Sequence, residues 1–222
     1  MVDDDGGILR QQLERSRRLG FLGPGAVAEH IEQARVLAKT IESSAMGARI
    51  GDGSLLDLGS GGGIPGLVLL AEMSWSRVVL LDRSERRCEF LRSAVTALRV
   101  ARPGGTEGDS EKADVSVVCG SAESLAHQPD LRGQFDLVVA RGFGPPATTA
   151  ECGVGFLGLG GHLLVTDPPG GRIWERLGLL KLGLELVEHS TGRPAWTLLE
   201  RTGELSEDIP RPEGRSRRRP LF

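Results

Sequence analysis

The chain has 222 residues, 39% of them hydrophobic, long enough for one well-buried α/β core and too short for two full-size domains. Its 27 basic and 30 acidic side chains leave a net charge of −3, and no apolar run approaches the ~20 residues of a membrane span. The three cysteines, Cys88, Cys119 and Cys152, are odd in number, far apart and without C-x-x-C spacing, which excludes a disulfide framework or zinc site and fits a reducing cytoplasm. The acidic start, Met1 to Gly6, is the opposite of a signal peptide, so a soluble, cytoplasmic protein is expected.

Residues 8–19 and 26–44 carry helical periodicity on either side of the break Gly20-Phe21-Leu22-Gly23-Pro24-Gly25, giving a helical N-terminal extension over 1–46. After a Gly47 to Gly53 linker, the run Leu55-Leu56-Asp57-Leu58 breaks into Gly59-Ser60-Gly61-Gly62-Gly63 and restarts at Ile64-Pro65-Gly66. That pattern predicts a strand, a tight loop where backbone approaches a ligand, and a helix with Pro65 at its first position. Unpaired amides at the helix start would favour an anionic group.

Two spellings fit the loop. Gly61, Gly63 and Gly66 read as the dinucleotide pattern G-x-G-x-x-G, whereas Asp57 with Gly59, Gly61 and Gly63 reads as the loop of S-adenosylmethionine methyltransferases. The next strand, 77–81, ends in Asp82, an acceptor for ribose hydroxyls in either case. A helix over 84–100 follows, then a polar stretch from Arg102 to Ala113 that reads as a mobile loop. Strands at 114–119, 135–140 and 162–166 alternate with helices at 145–157 and 172–182, which implies a doubly wound, mostly parallel α/β sheet.

The end of the domain, 184–189 and 196–201, reads as a C-terminal antiparallel hairpin, the feature that separates methyltransferase sheets from most dehydrogenase sheets. The domain therefore spans 47–205. Residues 206–222 form a basic tail in which Arg211, Arg215, Arg217, Arg218 and Arg219 face one acid within the last twelve residues, Glu213. Such a tail binds phosphates or is simply solvated. Asp167-Pro168-Pro169-Gly170 reads as a turn.

These motifs resemble the RsmG (GidB) family of bacterial methyltransferases acting on guanine N7 of 16S ribosomal RNA. The resemblance runs in order through His30-Ile31, the Asp57 to Gly66 loop, Leu81-Asp82 with Arg86 to Arg92, Ala122-Glu123, Phe135 to Phe143, Gly160-Gly161, and the Pro210-Arg211 to Leu221 ending. It implies a class I methyltransferase fold and S-adenosyl-L-methionine as cofactor. It also implies Gly59 and Ile64 at the methionine end, Gly61 and Gly63 of the same loop as cofactor-binding, Asp82 at the ribose, Ala122 and Glu123 at the adenine, and Arg141 beside cofactor or substrate. RNA contacts would fall to His30 and the tail arginines. Small-subunit ribosomal RNA or the 30S particle is the implied partner, with no metal, no membrane and a monomeric state expected.

No proton has to leave guanine N7, whose in-plane lone pair attacks directly, so no catalytic base is expected. The chain departs from the family in lacking its aromatic, asparagine-rich N-terminal motif, and in carrying Thr166-Asp167 where Lys-Gly is usual. A catalytically silent cofactor- or RNA-binding relative and a nicotinamide-dependent oxidoreductase are the competing readings.

Overall fold

A computed structural model describes residues 4–43, 53–101 and 113–222. The predicted linker from Gly47 lies outside these residues up to position 52, and so does the predicted mobile loop over 102–112. Helices α1 (Asp4–Arg18) and α2 (Val27–Ser43) precede the alternating units β1 (Ser54–Leu58), α3 (Gly66–Glu72), β2 (Arg77–Asp82), α4 (Glu85–Ala101) and β3 (Asp114–Cys119). They continue through α5 (Ala122–Leu125), β4 (Phe135–Arg141), α6 (Pro146–Val154), β5 (Leu157–Asp167), α7 (Arg176–Lys181), the hairpin β6 (Leu184–Ser190) and β7 (Ala195–Arg201), and α8 (Arg215–Arg218).

The seven strands lie in the order β3-β2-β1-β4-β5-β7-β6. The first five run parallel, and β7 inserts antiparallel between β5 and β6. This is the doubly wound sheet with terminal hairpin that the alternation predicts. The chain winds outward from β1 to β3 and then restarts at β4, so the switch point falls between β1 and β4, and their carboxyl ends open a crevice there.

Strand alternation sends Leu55, Val78, Leu80, Leu137, Val139 and Leu164 to one face, against Leu13, Ile31, Leu37, Leu67 and Leu91 of the first four helices. Leu56, Val79, Leu81, Val138, Leu163 and Val165 turn to the other face, against Leu125, Val154, Phe156 and Leu179. Each fully buried leucine or phenylalanine contributes roughly 1.5–3 kcal/mol, so the two cores fix the crevice between them.

Several boundaries differ from the sequence reading. Helix α6 stops at Val154 because Gly155 and Phe156 lead into β5, which begins five residues before the predicted 162. Helix α7 is confined to six residues, the Pro168 to Glu175 stretch being loop. The 206–222 segment is no loose tail. It docks on the body through Ile209, Leu221 and Phe222, which pack against the second core, and through Ser216, which is wholly buried.

Candidate functional site

The glycine loop leaves β1 with three left-handed residues, Gly59 (φ 75°), Gly61 (φ 54°) and Gly63 (φ 94°), a conformation L side chains rarely adopt. A Cβ on Gly59 would stand 2.8 Å from Cδ2 of Phe143. The loop is held from three sides. Ser60 N–H donates to the Leu81 carbonyl (2.8 Å), Gly61 N–H donates to Asp82 Oδ2 (2.9 Å), and the Ser16 hydroxyl of α1 donates to the Gly62 carbonyl (2.9 Å).

The helix start behaves differently from the expectation of free, anion-binding amides. Helix α3 begins at Gly66 with Pro65 as its cap, one residue later than predicted, and the Gly66 amide is taken by Asp57 Oδ2 at 3.1 Å. A side chain at 66 would collide with that carboxylate, so the glycine is required by the close approach of Asp57. Asp57 Oδ1 is buried without a hydrogen-bond partner. Burial, with Asp82 adding repulsion, pushes the Asp57 carboxyl up to about 7 despite the nearby Ser60 hydroxyl, the Gly66 amide and the Arg141 charge.

Asp82 ends β2 and is nearly fully buried. Its Oδ2 accepts from Gly61 and its Oδ1 from the Ser84 amide (2.8 Å), which orients the carboxylate and leaves a lone pair on each oxygen. Arg87 Nη1 lies 3.7 Å from Oδ2. Across the cleft, Ser121 caps α5, its hydroxyl oxygen accepting the Ser124 amide, and this short helix presents Ala122 and Glu123. Gly59, Asp82, Ala122, Glu123 and Phe143 thus line one cleft, closed on its outer side by Glu213, Gly214 and Arg217.

Ile64 and Arg141 fall instead on a second, wider cleft of about 460 Å³, with Gln33, Thr166, Asp167 and Arg193. Arg141 is held by a contact between elements far apart in sequence. Its Nη2 donates to Nδ1 of His30 (2.8 Å), and the His30 Nε2 reaches the Gly23 carbonyl at 3.4 Å, so the neutral Nε2–H tautomer suits both bonds. Desolvation pulls the Arg141 guanidinium below its usual range, with Asp57 opposing.

The structure therefore brings Gly59, Asp82, Ala122 and Glu123 together, sets Ile64 and Arg141 on the adjoining cleft, and leaves Gly61 and Gly63 as loop formers. His30, the residue expected on the RNA side, is buried, with its ring bonded to Arg141. Arg211 is spent internally, forking onto the fully buried Glu151 (Nε to Oε1 2.9 Å, Nη2 to Oε2 2.7 Å), while Arg215, Arg217, Arg218 and Arg219 are exposed. Sequence reasoning missed Ser16, Gly214 and the wall role of Arg217, for which no local signal exists. Phe143 and Arg87 lay within quoted stretches but carried no assigned contact. Among the described residues no group of three or more His, Cys, Asp or Glu side chains can hold a metal, and no helix is long and apolar enough to cross a membrane.

The chain is similar to the ribosomal RNA small subunit methyltransferase G of Burkholderia thailandensis, 34% identical over 134 residues, which are 60% of this chain and 48% of that one. The chain spans about half the length of the curated relatives it matches. Its fold is that of a methyltransferase from Geobacter sulfurreducens (TM-score 0.58, 15% identity, 91% of this chain and 90% of that one). It is also that of an O-methyltransferase from Bacillus cereus in complex with SAH (TM-score 0.55, 13% identity, 87% and 89%). The pattern of the GidB family, rRNA small subunit methyltransferase G, matches residues 27–166, and the chain belongs to that family.

Proposed function

We propose that the protein is an S-adenosyl-L-methionine-dependent methyltransferase that modifies guanine N7 in 16S ribosomal RNA. The observation that carries the choice of cofactor is the Asp57 carboxylate on the Gly66 amide. A nicotinamide dinucleotide would set its pyrophosphate at that helix start, where an acid already sits. S-adenosylmethionine has no phosphate, and its cationic sulfonium and amino groups suit a buried carboxylate with an unpartnered oxygen. The cleft lined by Gly59, Asp82, Ala122 and Glu123 fits the same ligand.

On this reading Asp82 receives the ribose hydroxyls and Ala122 and Glu123 the adenine. Gly59 and Ile64 meet the methionine end, on the loop that Gly61 and Gly63 shape, and Arg141, steadied by His30, supplies the cation for its carboxylate. When bound, the cofactor supplies an electrophilic methyl group, which passes to N7 as sulfur takes back the bonding pair. The protein's part is to bind both partners and hold them in line, an effect that can supply several kcal/mol of the barrier. No side chain has to accept a proton, because N7 carries none. The wider cleft beside Ile64 and Arg141 is the place for the base, and the exposed Arg215, Arg218 and Arg219 are candidates for phosphate contact. Both clefts come from one chain, which suits a monomer, and a ribosomal substrate implies a cytoplasmic enzyme working on 16S RNA or the 30S particle.

Two measurements test this. Calorimetry should give heat with S-adenosylmethionine and none with NADH. Mass mapping of 16S RNA from a deletion strain should lose one m7G, restored by the purified protein with the labelled donor. An unchanged m7G pattern defeats the enzyme reading and leaves a silent, binding-only relative.

A further inference from the structure

The 206–222 segment is bound to the body by contacts that an unattached tail would not make. His127 Nε2 lies 2.7 Å from the Pro210 carbonyl, and Arg132 donates to the carbonyls of Ile209 (2.7 Å) and Ser206 (3.0 Å). Arg211 offers its backbone amide as well as its guanidinium to Glu151, and Thr148 donates its hydroxyl to the Ser216 carbonyl at 3.3 Å. Between these anchors, the Gly214 amide donates to Oε1 of Glu123 at 3.2 Å. Glu123 is the acid on the floor of the nucleoside cleft, and Glu213, Gly214 and Arg217 line the cleft's outer side.

We propose that the stretch 211–218 is a strap that completes the nucleoside cleft, making Gly214 and Arg217 cofactor-site residues contributed by the C-terminal segment. The inference rests on the methyltransferase reading above. Its physical basis is the shared carboxylate. One oxygen of Glu123 is fixed by the strap backbone, and the other stays available as acceptor for an exocyclic amine such as that of adenine. A ligand that engages Glu123 therefore favours the docked strap, and a docked strap pre-orients Glu123, so the two events are coupled in both directions. Gly214 suits the role because its φ of 74° brings the amide over the carboxylate in a conformation closed to most side chains.

Limited trypsinolysis of the whole protein, read by mass spectrometry, tests the strap without any mutation. Cleavage after Arg215, Arg217 and Arg218 is followed against cleavage after Lys39, an exposed site near the end of α2 that lines neither cleft. Saturating S-adenosylhomocysteine should slow the strap cleavages about tenfold and leave Lys39 unchanged, a coupling of the ordinary allosteric size. Gly214→Val should weaken S-adenosylhomocysteine binding in calorimetry by a similar factor. Calorimetric binding with strap cleavage unchanged, or slowed equally at Lys39, overturns the strap alone. No calorimetric binding by the wild-type protein overturns the strap and the cofactor reading together.

Discussion

Asp57 shows how one residue serves the fold and opposes it at once. Its carboxylate organises the turn into α3 through Gly66, yet it is 1% exposed and half unpaired. Unfolded, the carboxyl ionises near 3.8; folded, it ionises near 7. Between those values the folded chain holds the extra proton, so stability falls as pH rises from about 4 to 7, by on the order of 4 kcal/mol in total from this group. Asp57→Asn keeps an acceptor for Gly66 and removes the titration. Urea melts of the variant should therefore show a flatter stability profile across pH 4–7 and a higher midpoint than wild type at pH 8. A wild-type stability profile that is flat in that window would contradict the buried, proton-holding carboxyl.

At the scale of elements, the legible features were those whose cause is local. The glycine loop announces itself because Gly59, Gly61 and Gly63 answer a backbone requirement written in alternate positions of one short stretch, and Asp82 because a strand end is a fixed address. The hairpin was readable from two period-two runs around Thr191-Gly192-Arg193-Pro194. What was not readable were pairings across distance: His30 with Arg141, 111 positions apart, and Ser16 with Gly62, 46 apart. No periodicity carries such information. The helical extension read as an appendage is in fact a support of the loop, since a Cβ on Gly62 would press on Leu22, Ser16 and the Phe21 carbonyl. Ser16→Ala leaves the Gly62 carbonyl without its donor, a loss of about 1–3 kcal/mol. The expected result is a lower melting temperature together with weaker S-adenosylhomocysteine binding in calorimetry; a binding constant equal to wild type would show that α1 steadies the fold and not the loop.

For the whole molecule, the charge inventory misled in one place. The arginines of the C-terminal segment looked like a solvated, phosphate-seeking run because the partner that claims the first of them, Glu151, lies sixty positions earlier. The Glu151 bond holds the Arg211 guanidinium above its usual range, and the fork is three-quarters or more shielded on both sides. Arg211→Ala would strand a buried carboxylate and should cost about 3–5 kcal/mol, the penalty for an uncompensated buried charge. Replacing both partners, Arg211→Met with Glu151→Leu, should recover most of that loss in a denaturant titration. If the single variant melts like wild type, the clasp contributes nothing and the segment is held by its apolar contacts alone.

The Ser16 bond to the glycine loop bears on how the protein can be cut down. The stretch matching the family pattern begins at 27, eleven residues after that serine, so a fragment begun there would keep every motif and lose a strut beneath the ligand bed. Such a fragment would carry the family's signature while offering a slack seat for its donor. Sequence homology and mechanical sufficiency part company here, and boundaries for expression should follow the second.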